Sequence, residues 1–123
     1  MKLFNLSTLA ILSFTSSTAY AGCYPAGIDG FKQPAYDNIE GLCKTLFSGN
    51  YSPGMIRSAC LDAGNDHYDF YARNIKKTGN SMDWATCTQK MKDMINCQKG
   101  GESDYNDIGW NFRADPNSGP CLH

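Results

Sequence analysis

No Cys-x-x-Cys pair, no Gly-x-Ser-x-Gly and no excess of basic residues occurs in this chain of 123 amino acids. The first absence excludes a thioredoxin-like redox motif and the common zinc sites. The second removes the usual nucleophile of a serine hydrolase. A duplex binder needs a basic stripe to displace counterions. Here eleven Lys and Arg face twelve Asp and Glu, and the nearest approach to a basic run is Lys76-Lys77, with Lys90, Lys92 and Lys99 later, which reads as a solvated face. Nucleic acid is therefore not an expected partner. Histidine is scarce as well, with His67 and the final residue His123 alone, so a proton-shuttling histidine pair is disfavoured. No apolar run approaches the roughly 20 residues that a membrane-spanning helix requires, and no stable membrane anchor is expected.

Six cysteines and an export leader are what the chain does carry. Lys2, the apolar stretch from Leu3 to Phe14 and the small-residue site Ala19-Tyr20-Ala21 have the order of a signal peptide. Cleavage after Ala21 is expected, which divides the chain into a leader over 1–21 and a single domain over 22–123, secreted and extracellular. Without Lys2, ten basic side chains face twelve acidic ones, a net charge of −2 with both histidines neutral. The cysteines, Cys23, Cys43, Cys60, Cys87, Cys97 and Cys121, all fall after the leader. An even number in an exported chain of about 100 residues predicts three disulfides, which stabilise a domain whose core is small.

Periodicity then separates the elements. Ala35, Ile39, Leu42, Cys43 and Leu46 follow a helical stripe, with Pro34 suited to a first turn and Gly49 past the end, which predicts a helix over 34–48. Met55 to Leu61 and the alternating Tyr68, Phe70 and Ala72 predict two strands joined by a hairpin at Asp62-Ala63-Gly64-Asn65-Asp66. Trp84, Cys87, Thr88, Met91, Met94 and Ile95 predict a second helix reaching Cys97, capped by Asn80 or Ser81 and ended by Gly100-Gly101. A polar loop follows. Ile108, Trp110 and Phe112 then alternate as a last strand before a turn at Asp115-Pro116-Asn117-Ser118-Gly119, and Cys23 to Phe31, broken by Pro25, Gly27 and Gly30, is an irregular edge strand.

The expected class is α+β, with two helices packed on one face of a small antiparallel four-stranded sheet in the order βαββαβ. With successive elements running up and down, Cys60 and Cys97 share one pole and Cys23 and Cys121 the other, while Cys43 and Cys87 lie on the helices. This arrangement predicts the bridges Cys23–Cys121, Cys43–Cys87 and Cys60–Cys97. Cysteines that share a pole can exchange partners without altering the fold.

Candidate chemistry is sparse. A guanyl-specific type of ribonuclease would draw on His67, Arg73 and Glu40 or Glu102, against the simpler role of His67 as a hairpin residue. The carboxylate pairs Asp62 with Asp66 and Asp104 with Asp107 do not match a calcium loop, and each sits beside Gly or Asn, where Asp supports turns. No catalytic residue, metal ligand or cofactor is expected. One sequon, Asn50-Tyr51-Ser52, is followed by Pro53. Of the twelve aromatic residues after the leader, Phe70, Trp84, Trp110 and Phe112 are expected in the core, and Tyr51, Tyr71 and Tyr105 are the candidates for a binding surface.

The spread of cysteines, the two cysteine-bearing helices, Gly100-Gly101 and the closing pattern Trp110-x-Phe112-x-x-Asp115-Pro116-Asn117-x-Gly119-x-Cys121 resemble small secreted cysteine-rich proteins of filamentous fungi. The element order resembles the α/β sandwich of virally encoded fungal killer toxins, shared by some plant-pathogen effectors. The resemblance implies a secreted, non-enzymatic fungal effector or virulence factor. It would bind an unidentified host protein or target-cell surface component, and could act with a second secreted effector. It also implies an alternative, an antimicrobial killer-type toxin acting on competing cells, beside the small secreted ribonuclease.

Overall fold

Ala35, Ile39, Cys43 and Phe47 recur every four residues, and all are fully buried. A regular α-helix turns once in about 3.6 residues, so a strict spacing of four would drift away from the core. A change of helix type absorbs the drift. In this computed structural model, which describes residues 22–122, Lys32–Leu42 is α-helical (α1) and Cys43–Phe47 continues as a π-turn. Ser48 N–H donates to Cys43 O at 2.9 Å, and the wider turn keeps Phe47 on the buried side. The segment 1–21, where the export leader is expected, and His123 lie outside the described residues.

After α1 come β1 (Gly49–Tyr51), β2 (Ile56–Ala63), β3 (Asp66–Asn74), β4 (Asn80–Met82), α2 (Trp84–Asn96), β5 (Gly101–Tyr105) and β6 (Trp110–Ser118). Four strands form an antiparallel sheet in the order β2-β3-β6-β5, and β1 pairs with β4 in a second, two-stranded sheet. Register follows the predicted hairpin: Ala63 faces Asp66 across the two-residue turn Gly64-Asn65, where Gly64 takes a φ of 68° that a side chain would resist. Tyr68, Phe70 and Ala72 of β3 and Phe112 and Ala114 of β6 are fully buried, in one core with Ile39, Met91 and Ile95 of the helices. Both helices pack on this one face and against each other, as the α+β expectation required.

A buried asparagine joins the small sheet to the large one. Asn74 is 0 % exposed, yet its amide donates to the carbonyls of Tyr51, Ser52 and Thr78 at 3.3, 3.2 and 2.9 Å and accepts from Lys76 N–H at 2.9 Å. Full pairing makes the burial tolerable. Arg57 works similarly from β2, donating to Leu46, Ser48 and Asn50 carbonyls at 3.1, 2.6 and 2.9 Å, with its guanidinium 4.3 Å from the Tyr51 ring.

Several sequence expectations are corrected. Residues 23–31 form no strand; a single bridge joins Cys23 to Gly101. The fourth strand is instead β5, inside the segment expected as a polar loop, because its inward positions are Gly101, Ser103 and Tyr105 and offer little apolar alternation. The order is thus αββββαββ and not βαββαβ. The cap of α2 is Asp83, which accepts from Thr86 N–H at 3.1 Å, while Asn80 and Ser81 are in β4. The expected turn at 115–119 is mostly strand. Pro116 pairs with Tyr68 on one side only, since β5 reaches no further than Ala114, and an open side is where a missing N–H does no harm.

All six cysteines are bridged, as Cys43–Cys87, Cys23–Cys97 and Cys60–Cys121. The first is as predicted and the other two exchange the expected partners. Without an N-terminal strand, Cys23 is drawn to the end of α2 through its bridge to Gly101; a side chain at Gly101 would collide with Gly22, Cys23 and Cys97. Cys121 is brought back over β2, where its N–H donates to Asp62 Oδ1 at 2.7 Å while Gly119 N–H donates to Asp66 Oδ1 at 3.3 Å. The carboxylates Asp62 and Asp66 thus fasten the C-terminal segment.

Candidate functional site: the uncovered face of the large sheet

Alternation that sends Trp110, Phe112, Ala114 and Pro116 inward sends Asn111, Arg113, Asp115 and Asn117 outward. On β3 the outward set is His67, Asp69, Tyr71 and Arg73; on β5 it is Glu102 and Asp104; on β2 it begins at Ile56. No described helix covers this side. An antiparallel sheet tolerates one wet face, but here the wet face is occupied by planar amide, carboxylate and guanidinium groups with an aromatic ring among them. Four strands at about 4.8 Å spacing make it roughly 14 Å wide.

The side chains are held in place by one another. Asn111 Nδ2 donates to Glu102 Oε2 at 3.0 Å and to Asp104 Oδ1 at 2.8 Å. Two carboxylate acceptors fix which end of the amide is the donor. Glu102 Oε1 accepts from the Tyr24 hydroxyl at 3.4 Å and lies 4.0 Å from Arg113 Nη1. Arg113 in turn lies over the Tyr71 ring, 3.8 Å from its centre. Burial works against the charge on Arg113, yet Tyr24, Tyr71 and Glu102 together hold its pKa above the usual value. Burial first, then the Glu102 charge, raises the pKa of Tyr24. The side chain of Arg73 makes no hydrogen bond or ion pair among the described residues, and the residue is exposed.

Two adjoining concavities form on this face. One, of about 200 Å³, is lined by Ile56, Tyr71, Arg73, Glu102, Asn111 and Arg113. The other, of about 360 Å³, is lined by Tyr24, Glu102, Ser103, Asp104 and Asn111. Glu102 and Asn111 belong to both. The first is smaller than the usual small-ligand site and the second is at the low end of that range, about 300–1,000 Å³.

The expected site residues disperse. Tyr71 is on the open face. Tyr51, expected at the surface, is 2 % exposed in the core: it meets Trp110 edge-on at 4.8 Å, donates to Phe47 O at 2.6 Å, and burial pushes its pKa up to about 12. Tyr105 is half-buried on the helix side, edge-on to Phe112 at 5.9 Å. Trp84, expected in the core, is 41 % exposed at the start of α2 with Lys44 Nζ 4.3 Å above its ring. Asp104 was weighed by sequence only as a pair with Asp107. Tyr24, Asn111 and Arg113 were not singled out; for Asn111 and Arg113 the signal is the period-two alternation continuing through 110–117.

Of the ribonuclease candidates, Arg73 and Glu102 line one concavity, but neither His67 nor Glu40 joins them there. His67 and Arg73 are six positions apart on one extended strand, about 20 Å, and Glu40 is on α1, paired with Lys44 at 3.0 Å. His67 has its own partners. Nδ1 is 2.8 Å from Gly119 O and Nε2 is 3.0 Å from Asp69 Oδ2, which also accepts from Asn117 at 2.8 Å. Cys60, His67 and Asp69 lie within 4.8 Å of one another, but Cys60 is disulfide-bonded to Cys121 and offers no thiolate to a metal.

A polar face with two open concavities, in a domain closed by three disulfides, has the chemistry of a binding surface. The sequence pattern of the family described as glycan binding domain Y3 matches residues 36–121, more than half of the chain. The chain belongs to that family, and membership points to binding without catalysis. No curated protein matches the chain.

Proposed function

We propose that the chain binds glycans on the uncovered face of its four-stranded sheet, around Asn111 and Glu102. The family match over 36–121 carries this reading, since it spans every strand of that sheet. The chemistry of the face supports it. A sugar presents hydroxyls that both donate and accept around an apolar ring, and is matched by planar side chains with fixed donors and acceptors beside an aromatic surface. Mutual bonding among Asn111, Glu102, Asp104 and Arg113 lowers the entropy lost when a ligand orders them.

The wider role follows the same line. The protein acts as an exported fungal effector that engages glycan-bearing surfaces of a plant or other host, by binding alone. Three disulfides suit an oxidising, extracellular setting. Labelled protein lacking the leader, applied to an array of defined oligosaccharides, is expected to retain a subset of them. Amide NMR shifts on adding the retained sugar are expected in β3, β5 and β6. Retention of no sugar, or shifts confined to α1 and α2, would overturn the proposal.

A further inference from the structure

The two concavities on the open face differ in charge, although they share Glu102 and Asn111. The smaller contains two guanidiniums, Arg73 and Arg113, against the single Glu102 carboxylate, with Ile56 and Tyr71 as an apolar wall. Arg113 is engaged by Glu102 and Tyr71, whereas the donors of Arg73 are uncommitted. The larger concavity contains Glu102 and Asp104 and no cationic side chain, with Tyr24 at its side. Asn111 is the partition: its amide nitrogen is bonded to the two carboxylates, and its carbonyl oxygen adds one more acceptor.

We infer that these are two adjoining subsites which take consecutive units of one oligosaccharide and read its charge unit by unit. This rests on the glycan reading above. Each unit meets a different demand. Beside Arg73, a ligand must supply acceptors, and an anionic substituent such as a sulfate or carboxylate finds a free guanidinium there. Beside Asp104, a ligand must supply hydroxyl donors, and an anion meets two carboxylates, of which only Glu102 is offset by a cation, Arg113 at 4.0 Å in the neighbouring concavity. A single sugar fills only one subsite and gives up the contacts of the other, so at least two units are needed for full affinity. Tyr24 lies outside the family match, which begins at residue 36. Its place beside Glu102 is secured by Tyr24 N–H donating to Gly100 O at 2.9 Å and by the Cys23–Cys97 bridge. The second subsite is therefore completed by the N-terminal segment of this chain.

The test uses mono-, di- and trisaccharides of one neutral series and disaccharides carrying one sulfate on either unit, titrated into wild-type protein, Arg73→Gln and Asp104→Asn. Affinity should rise at least tenfold from mono- to disaccharide. Sulfate on one unit should change affinity less than threefold, and on the other unit lower it at least tenfold. Asp104→Asn should recover most of that second loss, and Arg73→Gln should selectively weaken the tolerated sulfated sugar. Equal affinity for mono- and disaccharide, equal effects of the two sulfate positions, or no recovery in Asp104→Asn would overturn the inference while leaving glycan binding intact. If no neutral sugar of the series binds but others on an array do, the two-subsite reading falls alone; if no glycan binds at all, both fall.

Discussion

The two faces of the large sheet are made from the same strands and follow opposite rules. On the covered side, Phe70, Phe112 and Ala114 are apolar, fully buried and packed under both helices. On the other, one residue along, Tyr71, Arg113 and Asn111 are partly exposed and joined by polar contacts. The covered face stabilises by removing apolar surface from water, an effect indifferent to orientation. The open face stabilises little and specifies much, since its bonds set the direction in which each donor and acceptor points. If the open face binds glycan as proposed, function can change on one side while the fold is kept by the other.

Neighbouring substitutions in β6 should separate the two roles most sharply. Phe112→Ala is expected to cost about 3–5 kcal/mol in a denaturant titration, whereas Asn111→Ala should cost less than about 1 kcal/mol, as is usual at a wet surface. Comparable losses at both positions would erase the distinction. Next in size is Asn74→Ala, where four polar contacts of a buried side chain are broken and about 2–3 kcal/mol should be lost. Because Asn74 is outside the open face, the affinity of the folded variant for glycan should not change.

A smaller effect tests the edge of the open face. The carbonyl of Gly119 first, then Asp69 and the charge of Asp62, raise the pKa of His67 against the opposing effect of partial burial. With both ring nitrogens facing acceptors, the protonated form is the one favoured. The stabilisation is complete below the unfolded histidine value, about 6.5, and is lost as pH rises through the higher folded value. Unfolding midpoints of wild type and His67→Gln should therefore diverge below that pH and converge above it. A constant difference across the range would show that titration of His67 does not matter. The smallest effect has the opposite sign. Tyr68 Oη is buried without a hydrogen-bond partner among the described residues, and burial raises its pKa to about 12. Tyr68→Phe should stabilise by about 1 kcal/mol, and a loss of stability would show that the hydroxyl has a partner after all.

Much of the covered face was legible in the sequence, because helices and the β2–β3 hairpin announce themselves through apolar period and turn residues. Ile39 and Cys43, Met91 and Ile95, and Phe70 and Ala72 all emerged that way. The open face was harder to read for a physical reason: a strand edge such as Gly101–Tyr105 buries little and so carries almost no apolar alternation. β5 looked like a loop, and Glu102 and Asp104 lost the neighbour, Asn111, that gives them meaning. Pro116 hid the end of β6 by a rule that holds only where both sides of a strand are paired. The bridge exchange has one cause as well. An expected first strand that does not form moves Cys23 to Cys97 and leaves Cys60 for Cys121, whose approach depends on Asp62 and Asp66 binding backbone N–H groups. Long-range carboxylate contacts of that kind leave no local trace.

The most direct measurement is the affinity of Asn111→Ala for the oligosaccharide that wild type retains best on a defined array, determined by calorimetric titration beside the unfolding midpoint of each protein. At least a tenfold loss of affinity, about 1.4 kcal/mol, with a midpoint within a degree or two of wild type is the predicted result. Unchanged affinity in Asn111→Ala, with loss of binding on Trp84→Ala instead, would place the glycan on the helix side and contradict the account.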